Sequence, residues 1–132
     1  MGHRVTNILL DTHTLVWWLE GREKLSRVAR KVLEDPSSAV FVSAATAWEL
    51  AIKEHIGKFG SREFVVNLSH QLNFEGSTEL LITVEHAICA GDLSSRHKDP
   101  FDRMLAAQAQ VEKLPILSSD KMLDSFSIQR IW

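Results

Sequence analysis

Cysteine is nearly absent from this sequence, since Cys89 is the only one among 132 residues. A single cysteine excludes an internal disulfide and any CxxC zinc or redox site, so we expect a reducing, cytoplasmic compartment. Long apolar runs are also missing. The longest, Leu15 to Leu19, is far shorter than the ~20 residues of a membrane-spanning helix, and we therefore expect no membrane partner.

Signature motifs of several enzyme classes do not occur either. The sequence has no GxSxG, P-loop or GxGxxG, and its histidines show no HExxH spacing. Nucleophilic serine hydrolysis, nucleotide binding by a Walker loop, dinucleotide binding and a helical zinc site therefore lose their usual sequence support. Carboxylates remain as candidates for chemistry.

No charge of one sign dominates the composition. The sequence has 15 Lys and Arg residues against 17 Asp and Glu residues, and its pI is about 6.3. A protein that holds nucleic acid by charge alone has a strongly basic footprint, which this balance lacks. A polyanionic ligand would need local help, and a bound divalent cation is the obvious supplier.

The order of segments predicts an α/β fold. At 132 residues, without a linker or a repeat, the chain is expected to form a single domain over residues 1–132. Apolar stripes at helical spacing, one of them from Leu25 to Leu33, alternate with short apolar runs. This alternation predicts a three-layer α/β/α architecture with a mainly parallel, five-stranded sheet. The strand candidates are Thr6–Leu10, Ala39–Val42, Glu79–Thr83, Pro115–Leu117 and Ser127–Ile131.

One segment, from Ala44 to Leu72, is longer than a single crossover helix requires. Gly57 and Gly60 interrupt its helical pattern. We therefore expect a helical hairpin at about residues 44–72.

Four acidic residues fall near the carboxyl ends of the strands, where ligands bind in open parallel sheets. Asp11 ends the first strand candidate, and Asp120 follows the fourth. Ser118, just before Asp120, is suited to orient a carboxylate or a water. Glu49 lies among apolar residues on the helix after the second strand, and Asp102 lies one turn into the helix that leads to the fourth.

Each acid also has a structural explanation. Asp11 and Asp120 are suited to cap helices, and Asp99, which precedes a proline at the first helical position, is explained by capping alone. Asp102 is favoured by the helix dipole. Glu49 is spaced for an ion pair with Lys53.

A common function explains the positions of the four acids better than four separate structural roles do. Clustered carboxylates stay ionised only with a cation among them, and all-oxygen ligands suit Mg²⁺ or Mn²⁺. Such ions could activate a water and stabilise both oxygens of a phosphodiester in displacement. The expected catalytic and metal-binding residues are Asp11, Glu49, Asp102 and Asp120, supported by Ser118. The candidates for phosphate contact are Arg103, Lys53 and Lys98.

Four stretches follow one another in a characteristic order along nearly the whole chain. They are ILLDTHTLVWWLEG, VSAATAWELAIKEHIGKF, HKDPFDRMLAAQA and LPILSSD. With these stretches the chain resembles the PIN-domain nucleases, and among them the VapC-like toxins of bacterial type II toxin–antitoxin pairs. The resemblance implies that the same four acids are the metal ligands, with Ser118 where the family often has threonine. It also implies a Mg²⁺- or Mn²⁺-dependent endoribonuclease acting on RNA, a cognate antitoxin bound across the groove and the helical hairpin, and a homodimer.

Two other functions fit parts of the sequence. The stretch from Leu9 to Thr14 approximates the signature of a haloacid-dehalogenase-like phosphatase with Asp11 as a covalent nucleophile, although His13 replaces the second acid. A trapped acyl-phosphate on Asp11 would favour this enzyme. The other function is a non-catalytic protein-interaction module whose acids only cap helices, and failure to bind any divalent cation would favour it.

Overall fold

Strands and helices alternate along the chain in the computed structural model, which describes residues 6–132. The strands are β1 (Asn7–Leu10), β2 (Ala39–Ser43), β3 (Thr78–Leu80), β4 (Ile116–Leu117) and β5 (Arg130–Ile131). The helices are α1 (Thr12–Glu20), α2 (Arg27–Glu34), α3 (Ala44–His55), α4 (Arg62–Phe74), α5 (Val84–Asp92) and α6 (Pro100–Glu112). Short 3-10 helices cover Arg22–Lys24 and Lys121–Phe126. Residues 1–5 of the expected domain lie outside the described residues.

The five strands form one sheet in the order β3-β2-β1-β4-β5, and every neighbouring pair is parallel. Parallel neighbours cannot be joined by a tight turn, so the chain crosses over between strands, mostly through helices. The expected fold class, a three-layer α/β/α domain with a parallel five-stranded sheet, is confirmed.

The two faces of the sheet bury separate apolar clusters. Ile8 and Leu10 of β1 pack in the cluster that includes Leu15 of α1 and Leu50 of α3, whereas Leu9 packs in a second cluster with Leu105 of α6. Successive side chains of a strand point to opposite faces, which explains this division. Because both faces are covered, β1 has three successive apolar residues, Ile8 to Leu10, instead of an alternating pattern.

The segment expected to form a helical hairpin contains α3 and α4. The link between them includes Gly57 at φ 78° and Gly60 at φ 87°, backbone conformations that glycine adopts without steric cost. Phe64 and Leu68 of α4 are buried in the same cluster as Ile8. The second helix runs past Leu72 and ends at Phe74.

Some expected element bounds are wrong. The third strand ends at Leu80 and not at Thr83, because Thr83 caps α5. The Thr83 hydroxyl accepts a hydrogen bond from the His86 backbone N–H, and His86 Nδ1 accepts one from the Thr83 N–H. The fifth strand has only Arg130–Ile131, and Leu25, expected in a helix, precedes α2. Within residues 6–132 no helix has the length and apolar character needed to cross a membrane.

Candidate active site

The order of the strands creates a crevice at the carboxyl end of β1. β2 and β3 lie on one side of β1, and the chain then passes to its other side to form β4 and β5. Such a reversal of strand order is where open α/β sheets bind ligands. Leu10 of β1 is in register with Leu117 of β4. The next residues, Asp11 and Ser118, therefore lie side by side.

Asp11 is held by two different donors. Its Oδ1 accepts a hydrogen bond of 2.9 Å from the Thr14 backbone N–H, which caps α1. Its Oδ2 accepts a hydrogen bond of 2.5 Å from the hydroxyl of Ser118, which is fully buried. The expected capping role is thus present, and the expected orientation of a carboxylate by Ser118 is present with it.

Glu49 lies on α3, which begins immediately after β2 and is capped by Ser43. Its Oε1 accepts a hydrogen bond of 2.5 Å from the Thr12 hydroxyl, and its Oε2 lies 2.9 Å from Lys53 Nζ. The ion pair with Lys53 is the alternative that the sequence offered. The contact with Thr12 joins α3 to the start of α1, beside Asp11.

Asp102 lies in the first turn of α6 and has an unexpected partner. His97 Nε2, from the loop before the helix, lies 2.7 Å from Asp102 Oδ2. Asp99 caps the helix as expected, because its Oδ1 accepts hydrogen bonds from the backbone N–H groups of Phe101 and Asp102. The two acids of this motif therefore have different local roles.

Asp120 follows β4 and is exposed. Its Oδ1 accepts a hydrogen bond from the Met122 N–H and caps the 3-10 helix over Lys121–Phe126. Its own backbone N–H donates to Ser118 Oγ. Ser118 thus connects the first and the last of the four acids.

All four expected acids line one small cleft of about 160 Å³. The remaining lining residues are Thr12, His13, Lys53 and Asp99. Burial raises the pKa of Asp102, and the negative charges of Asp99 and Asp120 raise it further, while the hydrogen bond from His97 opposes the shift. The cleft therefore concentrates negative charge, which makes it a poor place for an anion and a good place for a cation.

The oxygen donors of the cleft suit a hard divalent cation, because Mg²⁺ and Mn²⁺ prefer carboxylate and hydroxyl oxygens. Within residues 6–132, no group of three His, Cys, Asp or Glu side chains stands close enough to hold an ion in its present arrangement. Ion binding therefore requires side chains to move together. Two of the side chains can move in this way. Glu49 can exchange its ion pair with Lys53 for a bound ion, and Asp120 is exposed.

The three residues expected to contact phosphate lie in different places relative to the cleft. Lys53 lines the cleft, whereas Arg103 and Lys98 lie outside its lining and border a neighbouring apolar groove. The Arg103 guanidinium donates hydrogen bonds of 2.8–3.5 Å to backbone carbonyls of the last turn of α5 and of the loop that follows it. This geometry is at odds with an expected phosphate contact, because the donors of Arg103 are already engaged in fixing the loop.

Sequence reasoning missed Thr12 and His97. Thr12 follows Asp11 directly, and its hydroxyl reaches an acid 37 positions away, a distance that no local pattern encodes. The sequence assigns no chemical role to His97. Its position before the Asp-Pro cap of α6 is the only available signal, and the direction of its ring depends on the loop fold.

Comparison with known proteins identifies a family and several similar solved structures. The family model described as PIN domain matches residues 8–128. A search of curated proteins finds no significant match. A DNA-bound VapBC structure from Salmonella typhimurium is similar, with 20% identity, a TM-score of 0.69 and coverage of 97% of this chain and 98% of that one.

Two further solved structures are also similar. VapBC-1 from nontypeable Haemophilus influenzae has 19% identity and a TM-score of 0.69, with 96% of this chain and 97% of that one covered. A toxin–antitoxin complex from Klebsiella pneumoniae has 18% identity and a TM-score of 0.64, with 95% and 96% covered. At these identities the likeness concerns the fold.

Proposed function

Because the chain belongs to the PIN-domain family, we propose that it is a Mg²⁺- or Mn²⁺-dependent endoribonuclease and the toxin of a toxin–antitoxin pair. One observation carries the proposal. Four acids from separate segments, the ends of β1 and β4, helix α3 and the first turn of α6, line a single cleft at the switch point of the sheet. The proposed ligands are Asp11, Glu49, Asp102 and Asp120.

Some residues of the cleft supply charge, and others hold the carboxylates in place. The Ser118 hydroxyl holds Oδ2 of Asp11, so that this carboxylate keeps a defined direction. The Thr12 hydroxyl holds Oε1 of Glu49, while Oε2 pairs with Lys53 and can turn to an ion. A bound divalent ion would supply the positive charge that a phosphodiester needs and would lower the pKa of an attacking water. Among the described residues, Lys53 is the lysine or arginine that lines the cleft, and it can pair with a phosphate once Glu49 turns to an ion.

The phosphatase alternative receives no support from the geometry. That mechanism needs the second acid of its signature as the general acid and base, and His13 stands at its position. His13, at the position of the second acid, is exposed and stacks near Trp17 at 5.8 Å between ring centroids.

The test is cleavage of a labelled single-stranded RNA by purified protein, with a DNA strand of the same sequence in parallel. We expect cleavage of RNA in Mg²⁺ or Mn²⁺ and none in excess EDTA. Asp102→Asn should reduce cleavage by orders of magnitude, because a charged ligand becomes neutral. Asp99→Asn is the matched control and should retain cleavage, since Asn caps helices nearly as well as Asp.

Each other outcome has a defined meaning. Cleavage that continues in EDTA would refute metal dependence. Cleavage of DNA alone would refute the RNA substrate. Inactivation by Asp99→Asn with retained activity in Asp102→Asn would mean that the third ligand is Asp99. Absence of any binding of divalent cations would favour the non-catalytic interaction module.

We also propose an antitoxin partner that covers the hairpin of α3 and α4. An apolar groove of about 260 Å³ runs between these helices and is lined in part by Ala47, Val65 and Leu68. A partner helix seated there could reach the acidic cleft with a basic side chain. Co-expression with the adjacent open reading frame should relieve growth inhibition and yield a stable complex, and the absence of both effects would contradict the toxin assignment.

A homodimer is proposed as well. Exposed apolar side chains, which include Leu81, Ile82, Val84 and Ile88, lie in and around the start of α5. Apolar surface of this kind favours association between proteins. Light scattering of the purified protein should give twice the chain mass of 14.9 kDa, and a monomer at all concentrations would contradict the proposal.

A further inference from the structure

The hydrogen bond between His97 and Asp102 joins an acid of the cleft to a residue outside it. Asp102 lines the cleft, whereas His97 is not among the lining residues. His97 Nε2 lies 2.7 Å from Asp102 Oδ2, and both side chains are mostly buried, with 17% and 24% of their surface exposed. An ionised carboxylate can only accept a hydrogen bond, so Nε2 carries the proton and donates it.

The histidine is itself held in place from several directions. Its backbone carbonyl accepts a hydrogen bond of 3.1 Å from Arg103 Nη1, and its backbone N–H donates to Ser95 Oγ. Its ring packs edge-on against Phe126, with 5.4 Å between the ring centroids. Phe126 belongs to the apolar cluster under the sheet. The direction of the imidazole is therefore set both by the fold of the loop and by packing against the core.

Arg103 explains why the loop keeps this shape. It follows Asp102 directly on α6, and besides His97 it donates to the carbonyls of Ala90, Leu93 and Ser95. A guanidinium presents its donors in a rigid fork, which suits several carbonyls at once. The helix that carries the acid thus also fixes the loop that carries the acid's donor.

From this geometry we propose that His97 is a positioning residue for Asp102. Its N–H holds Oδ2 and leaves Oδ1, which has no hydrogen bond from the described residues, as the oxygen that meets a divalent cation. The inference rests on the proposed function, because it concerns the ion that the cleft would bind. Partners that hold the ligands of a metal in place typically change metal affinity about 10- to 100-fold when they are removed.

The experiment compares variants that keep or lose the donor. The Gln amide nitrogen reaches about the place of His Nε2, whereas the shorter Asn amide corresponds to Nδ1 and falls short of Oδ2. We therefore measure Mn²⁺ binding by isothermal titration calorimetry, without RNA, for wild type, His97→Gln and His97→Asn. His97→Leu is a second variant without a donor. His70→Leu, at an exposed site on α4, is the matched control.

The expected result is a 10- to 100-fold weaker Mn²⁺ affinity in His97→Asn and His97→Leu. His97→Gln should stay close to wild type, and His70→Leu should not differ from it. RNA cleavage should follow the same order at low Mn²⁺ and should recover at high Mn²⁺. Melting temperatures in EDTA separate this effect from a loss of stability, since a purely structural role lowers the melting temperature and leaves the Mn²⁺ affinity unchanged.

Failure of the positioning role can be distinguished from failure of the proposed function. If wild type neither binds Mn²⁺ nor cleaves RNA, the proposed function falls and the positioning role falls with it. If wild type binds Mn²⁺ and cleaves, but folded His97→Asn binds Mn²⁺ equally well, only the positioning role is refuted. A loss of affinity that His97→Gln does not restore would also refute it, because the donor would then not be the cause.

Discussion

The buried contact between Asp11 and Ser118 gives a quantitative prediction for Asp11→Asn. Asp11 is 8% exposed, and its carboxylate accepts hydrogen bonds from the Thr14 N–H and the Ser118 hydroxyl. An asparagine carbonyl can still accept from Thr14 and keep the helix cap. Its amide then points at Ser118, whose hydroxyl loses its acceptor in a fully buried place.

The balance of two opposing effects decides the sign. Removing one of several crowded carboxylates relieves repulsion, which by itself favours the variant. A hydrogen bond to a charged group contributes about 1.5–3 kcal/mol, and stranding a buried hydroxyl costs about 1–3 kcal/mol. The asparagine amide recovers part of this loss by donating to Ser118 Oγ. We therefore expect a net destabilisation of about 2 kcal/mol, or roughly 6 °C in melting temperature for a domain of this size.

The assay is urea denaturation in EDTA, so that no metal contributes to stability. Asp11→Asn, Ser118→Ala and the double variant form a cycle with wild type, and their coupling energy should be about 1–2 kcal/mol. Ser119→Ala, next in sequence, is the control and should change stability by less than about 0.5 kcal/mol. If Asp11→Asn is as stable as wild type and the coupling energy is near zero, the hydrogen bond does not stabilise the fold and the reasoning is refuted.

Two further predictions concern α6 and its loop. Arg103→Lys should destabilise the protein by about 2 kcal/mol and speed proteolysis of the loop after α5, because an ammonium group cannot donate to the same set of carbonyls. Arg96→Lys, at an exposed site in the same loop, is the control and should change neither stability nor proteolysis. Burial raises the pKa of Asp102, so the folded state holds this proton more tightly than the unfolded state does. The stability that Asp102 contributes to the metal-free protein is therefore complete below the ordinary aspartate pKa of 3.8 and is lost as the pH rises through the raised pKa. The difference in melting temperature between Asp102→Asn and wild type, measured in EDTA, should therefore shift in favour of the variant as the pH rises above about 4, and a trend in the opposite direction would contradict the direction of the shift.

The sequence allowed the centre of the fold to be predicted better than its edges. β1 is predicted because Ile8, Leu9 and Leu10 are successive apolar residues, which is the pattern of a strand covered on both faces. The bounds of β3 were missed because Leu81 and Ile82 continue an apolar run after the strand has ended at Leu80. At that point the cap at Thr83, a local hydrogen-bonding preference, outweighs the propensity of the neighbouring residues for a strand.

The same contrast holds for the cleft. The four acids could be predicted because the end of a strand and the first turn of a helix are visible in the sequence. The groups that orient them could not, because Ser118 and Asp11 are 107 positions apart and His97 depends on a loop that Arg103 holds. Contacts between distant segments follow from the assembled sheet and leave no periodic signal in the chain.

The central place of β1 has a consequence for incomplete chains. The first strand provides Asp11, but the strand that completes its other edge and the hydroxyl that holds Asp11 come from residues 116–118. A polypeptide that stops before Ser118 can pair β1 with β2, yet it lacks Asp120 and leaves Asp11 without its buried donor. We therefore expect chains that stop before Ser118 to be inert, with the cleft assembled only after Asp120 has been synthesised.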